Sequence, residues 1–193
     1  MKDIRIFNQE ILSDNKYPLK EISFEKPGKD GKTIKQLHEI YYRPDAVAIL
    51  MVDRLEQKIL LTRQFRLPTY LNGNESGYLI ETCAGLIDDM ESPEEAVIRE
   101  AIEETGFQIN NLQKVGAVFP SAGGLTEYIH LYIGEYDSNG QHEEGGGLEE
   151  EGEYIEKLEI SFSDALVKVK NGSFNDAKTL LLLQNFFLTN PDF

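Results

Sequence analysis

Residues 85–107 constrain this chain more than any other stretch. Gly85 is followed by five residues to Glu91, then by seven to Arg99-Glu100-Ala101-Ile102-Glu103-Glu104-Thr105-Gly106-Phe107. The flanks predict a helix over 93–105. Ser92 is a good N-cap, Pro93 stands at the first helical position, and Glu94 and Glu95 lie in the first turn. Gly106 follows as the stop, where left-handed backbone costs a glycine little. On such a helix Glu100, Glu103 and Glu104 are spaced i, i+3 and i+4, so three carboxylates project from one face. Like charges so close repel, and nothing in the local sequence rewards that cost unless cations lie between them. Hard divalent ions with oxygen ligands, Mg²⁺ above all, suit the cluster and can bridge it to phosphates. Glu103 and Glu104 alone would read as a solvated face. Seven fixed identities at fixed spacing would coincide by chance on the order of once in 10⁷ starts, so the pattern outweighs that reading.

Charge agrees with this reading. The 193 residues carry a formal net charge of −15, which excludes the basic face that nucleic-acid binding needs. An acidic chain still binds a small phosphorylated ligand if divalent cations stand between the carboxylates and the phosphates. With 40% hydrophobic residues the chain can bury a core of about one domain, with room for a small appendage. Its single cysteine, Cys83, forbids an internal disulfide, reads as core, and fits a reducing compartment. The first residues hold no apolar run of the signal-peptide kind, and the apolar stretch at 180–188 is too short to span a bilayer. The expectation is a cytoplasmic protein with no membrane partner. His38, His130 and His142 show no metal-ligand spacing, and His130 alternates with apolar neighbours as a structural strand residue does.

Elsewhere the pattern is strand-rich. Leu19, Ile22 and Phe24 alternate with polar residues, a turn follows at 27–31, and extended chain resumes over 34–42, which predicts a hairpin. A second hairpin is expected from 46–51 and 59–62, and further strands from 78–82, 115–119, 128–136 and 154–160. A polar, glycine-rich loop spans 137–152, and helices are expected over 161–170 and 176–188. These elements predict an α/β protein whose mixed sheet packs between helices. Residues 1–43 form an N-terminal β-strand arm and 44–193 the main domain. An isolated hairpin is marginal in water, so the arm needs a surface to pack on, and a second subunit supplies it.

The 85–107 pattern matches the Nudix box, and the chain resembles the Nudix hydrolases. That resemblance implies an α/β/α sandwich with a mixed β-sheet, here with an N-terminal β-hairpin arm. Segments outside the box narrow it: ILSDN at 11–15, RQFR at 63–66, NGNESG at 72–77, LIETCAGL at 79–86, GGLTE at 123–127, GGGLEEE at 145–151, and Lys178-Thr179. Together they resemble the GDP-mannose pyrophosphatase branch, relatives of the ADP-ribose pyrophosphatases.

The resemblance implies a metal set of Ala84 (through its carbonyl), Glu100, Glu104 and Glu151, and a catalytic set of Glu100, Glu103, Glu104 and Glu151. It gives Arg99 the role of orienting the acidic residues. Arg66 falls on a phosphate contact, and Gly85, Glu127, Glu150 and Lys178 on substrate-site positions. Tyr17, His38 and Glu39 match nucleotide contacts made from the partner subunit of a homodimer.

The implied reaction is Mg²⁺-dependent hydrolysis, with Mn²⁺ as a substitute, of a nucleoside diphosphate sugar: GDP-mannose to GMP and mannose 1-phosphate. The alternative within the family is ADP-ribose cleaved to AMP and ribose 5-phosphate. A different class, a Nudix regulator that binds a sugar nucleotide without cleaving it, would be expected to lose box glutamates, and this chain keeps every one.

Overall fold

A computed structural model describes residues 4–147, 152 and 154–193. The chain divides into two compact units, each described by itself.

The first unit holds the chain up to Asp45 together with Phe119–Tyr128. Strands β1 (Arg5–Asp14), β2 (Pro18–Pro27) and β3 (Thr33–Tyr41) form an antiparallel sheet in that order. Strands β2 and β3 are the expected hairpin, and Gly31 takes the left-handed backbone (φ 77°) that its turn requires. Strand β1 is an addition to that expectation. Its pairing with β2 slips between Ile6 and Asn8 and again between Ile11 and Ser13. Two bulges scramble the alternation by which a strand is recognised. The 119–128 segment joins this unit through Tyr41 N–H to Gly124 O at 2.8 Å and Arg43 N–H to Thr126 Oγ1 at 2.9 Å.

The second unit holds Ala46–Val118 and Ile129–Phe193. Its sheet is built on β4 (Ala46–Asp53), which pairs antiparallel with β5 (Lys58–Phe65) and with β7 (Cys83–Leu86), and parallel with β9 (Ile129–Glu135). Strand β6 (Tyr78–Glu81) and β10 (Ile155–Ser161) add to β5, and β8 (Asn110–Val118) closes the far edge on β9. Every residue of β4 is buried, as a strand covered on both faces must be. Val47, Ile49 and Met51 face one core with Ala96, Val97 and Ala101 of helix α2 (Pro93–Thr105). Ala48, Leu50 and Val52 face the other with Phe162 and Ala165 of α3 (Phe162–Lys170) and Leu182, Leu183 and Phe186 of α4 (Ala177–Thr189). This is the α/β sandwich with a mixed sheet.

A short helix α1 (Leu67–Leu71) follows β5 and was not expected, its five residues being too few to show a period. Among the described residues no helix is long and apolar enough to cross a membrane.

Candidate active site

Helix α2 carries the acidic face, and its ends are held by the residues the sequence points to. Ser92 Oγ accepts from Glu95 N–H while the Glu95 carboxylate accepts from Ser92 N–H, a complete capping box. Gly106 ends the helix at φ 77°. The small Ala101 is buried against the sheet, which fixes the helix rotation and leaves the glutamates on its rim. Glu104 lies deepest, Glu100 is half-buried and Glu103 is more open. Behind them stands Cys83, whose thiol is pushed well up by burial first and by Glu104 next, so it stays neutral.

Gly85 on β7 faces this helix so closely that a Cβ there would overlap the Glu100 carboxyl group. The glycine is therefore a packing requirement of the acidic face, not merely a turn.

Bound cations are not all that offsets the repulsion on this face: Arg99, expected to orient the acidic residues, meets two of the three glutamates. Arg99 Nη1 donates to Glu100 at 2.8 Å and to Glu103 at 2.9 Å. Its Nε and Nη2 each donate to Glu91 at 2.9 Å, and Nη2 also to Leu86 O at 3.0 Å. One step from Glu100 along the helix, Arg99 starts on another side, but its long side chain folds back across the carboxylates. The Glu91 hydrogen bonds, against the cost of burial and with help from Glu100 and Glu103, raise the arginine's pKa. The same bonds hold Glu91 below the ordinary glutamate value.

Among the described residues no three His, Cys, Asp or Glu side chains converge as a ready metal cage. The donors nonetheless fit a hard divalent cation in kind. Glu100 and Glu104 offer carboxylate oxygens one turn apart, and Gly85 leaves the space beside them to the Glu100 carboxyl. Glu150 and Glu151 lie outside the described residues. Ala84 pairs with Ala48 in the sheet.

A second cluster joins Arg66 and Lys178. Arg66 Nε donates to Glu81 Oε2 at 2.7 Å and Lys178 Nζ to Glu81 Oε1 at 3.1 Å. Lys178 also donates to Asp176 at 2.7 Å. Burial works to lower the lysine's pKa, but Glu81 and Asp176 outweigh it and hold it above the ordinary value. Burial likewise works to raise Asp176, and Lys178 with Thr179 brings it below the usual carboxylate range. Sequence reasoning missed Glu81 and Asp176. The one signal for Glu81 was a carboxylate directly after the apolar residues of a strand.

In the N-terminal unit the Arg43 guanidinium, also missed, lies 5.4 Å from the Tyr17 ring centre and pairs with Glu127 at 2.9 Å. Tyr17 and Glu127 thus share one cation. His38 and Glu39 are exposed neighbours on β3, and so point to opposite faces of its sheet. The His38 ring meets Phe24 edge-on at 5.1 Å.

Known proteins match both units. Residues 42–183 match the family described as NUDIX domain, and residues 3–41 match the GDP-mannose pyrophosphatase NudK N-terminal domain. The chain belongs to the Nudix family. As a Nudix hydrolase it is an enzyme, in a family that generally uses a divalent metal. Among its relatives, the GDP-mannose pyrophosphatase of Cronobacter sakazakii is 46% identical over 186 residues, covering 96% of each chain. That of Pectobacterium atrosepticum is 44% identical over 182 residues, covering 94% of this chain and 93% of its own. A solved ADP compounds hydrolase superposes with a TM-score of 0.71 at 18% identity, covering 98% of this chain and 97% of its own. At that identity it shows the Nudix fold alone.

Proposed function

We propose that this enzyme hydrolyses the pyrophosphate bond of GDP-mannose, giving GMP and mannose 1-phosphate, with Mg²⁺ as its ion and Mn²⁺ as a substitute. The observation that carries this reading is the continuity of the match. A full box of glutamates on α2 is joined, in one chain, to an N-terminal segment of the GDP-mannose pyrophosphatase kind.

Glu100, Glu104 and Glu151, with the Ala84 carbonyl, would hold the metal. When bound, the ion neutralises charge on the diphosphate and acidifies the attacking water. The chain's own residues do the rest. Arg99 holds the Glu100 and Glu103 carboxylates in place, and Gly85 leaves room for that of Glu100. Arg66 and Lys178 receive the phosphates, while Glu127 and Glu150 serve the remainder of the substrate. The metal would offset the charge of the dianion beside the glutamates, and the two cations give it charged hydrogen-bond donors.

The enzyme is read as a cytoplasmic homodimer, with Tyr17, His38 and Glu39 reaching the nucleotide of the partner site. Support comes from Ile6, Phe7, Ile11, Leu12, Ile34 and Leu37, apolar side chains that the N-terminal sheet leaves exposed.

The test is a hydrolysis panel of GDP-mannose, ADP-ribose, GDP-glucose and ADP-glucose with Mg²⁺ and product identification. GMP with mannose 1-phosphate as the fastest product pair supports the proposal; cleavage of none of the four overturns it.

A further inference from the structure

We propose that Glu81 is a positioning residue that sets Arg66 and Lys178 to receive the substrate's diphosphate, an inference that rests on the phosphate roles given to those two cations above. One carboxylate takes both cations, Arg66 on one oxygen and Lys178 on the other. Burial orders the three side chains. Glu81 is 5% exposed, Lys178 17% and Arg66 38%. The carboxylate therefore lies behind, and an anion arriving from solvent meets the cations first.

Both cations keep donors in hand. Arg66 meets Glu81 through Nε, so both of its Nη groups remain for a ligand among the described residues. Lys178 has three donors and commits two, to Glu81 and Asp176.

The rear of the cluster is tied by hydrogen bonds. Asp176 caps α4 by accepting from Thr179 N–H at 2.9 Å and from its hydroxyl at 2.7 Å. Thr82 N–H, next in chain to Glu81, donates to Thr179 Oγ1 at 2.7 Å. The start of α4, which carries Lys178, is thereby bonded to the end of β6, which carries Glu81. Two cations and two carboxylates balance in charge, so the cations are held without a bound anion. Such preorganisation spares the substrate the cost of assembling its own site. A purely structural role would not need the ions, since buried ion clusters are commonly matched in stability by apolar packing.

The experiment is a double-mutant cycle on the full chain with Mg²⁺: wild type, Glu81→Gln, Arg66→Ala and the double variant. Each is measured for inorganic pyrophosphate affinity by calorimetry, for KM and kcat on GDP-mannose, and for its unfolding temperature. Glu81→Gln is expected to weaken pyrophosphate binding about 10-fold and to lose the share that acts through Arg66 once Arg66 is absent. Its KM should rise more than its kcat falls. Unchanged affinity, or an equal loss with and without Arg66, would overturn the proposal. If Glu81→Gln does not fold, Glu81→Asp, which keeps the charge and shortens its reach, takes its place under the same criteria. The pyrophosphate arm needs no turnover. If the cycle shows the coupling yet wild type cleaves no nucleotide sugar, the function proposed above is overturned and this inference kept; a wild type that binds no pyrophosphate would overturn this inference.

Discussion

Gly85 stands where the Glu100 carboxyl group fills the space a Cβ would need. Gly85→Ala should therefore push Glu100 off the acidic face of α2. The overpacking should cost about 1–3 kcal/mol of stability, and the displaced carboxylate about 10- to 100-fold in kcat. Thermal unfolding and steady-state rates on one preparation check both; a variant with normal kcat would show that Glu100 needs no fixed place.

Glu100→Gln and Glu104→Gln keep side-chain size and remove one charged oxygen ligand each. Both variants should fold and lose at least about 100-fold in kcat, since even residues one step removed from a metal cost up to that much. Removal of divalent ions from wild type should abolish turnover, and adding them back should restore it. Near-normal rates in both folded variants would contradict the metal assignment.

How much of this was legible in the sequence depended on how local the signal was. Helix α2 is legible to the residue because its cap and stop adjoin it and its first turn lies within it, all in one local stretch. Strand β1 is not, because two bulges break its alternation. Strand β7 is four residues long and separate from β6, too short for a pattern of its own. Among site residues, the glutamates of α2 follow from helical spacing, and Arg66 and Lys178 from resemblance. Glu81 escaped because its partners lie 15 and 97 positions away, a relation that only the folded sheet creates. Arg99 follows from resemblance as the residue that orients the acidic side chains, but which carboxylates it binds was not legible: rotamers, not spacing, decide where a long side chain lands.

Asp176 gives a pH prediction whose sign is fixed. Its folded pKa lies below the ordinary 3.8, with burial opposing and Lys178 prevailing. It therefore contributes stability above the unfolded value and loses it as pH falls through the folded value. Asp176→Asn keeps a good helix cap for α4 and removes the charge. Wild type should be the more stable near neutral pH, and the gap should close below about pH 3.8. Unfolding temperatures of both proteins across that range check it; a gap that widens in acid would reverse the assignment.

The exposed apolar side chains of the N-terminal sheet predict a dimer. Light scattering at working concentration should give twice the 21.9 kDa chain mass. Ile11→Lys and Leu37→Glu, which place charges among those side chains, should shift the mass toward one chain and lower activity with it. A fully active monomer would remove the partner-subunit roles of Tyr17, His38 and Glu39.

The central claim, that this Nudix hydrolase is built for GDP-mannose, is tested most directly by competition between GDP-mannose and ADP-ribose in one vessel. Guanine and adenine present different exocyclic groups, and a site that bonds one leaves polar groups unpaired with the other. An unmade bond of that kind costs ~1–3 kcal/mol, roughly 5- to 150-fold in rate. kcat/KM is expected to be at least about 10-fold higher for GDP-mannose; an equal or reversed preference would contradict that specificity.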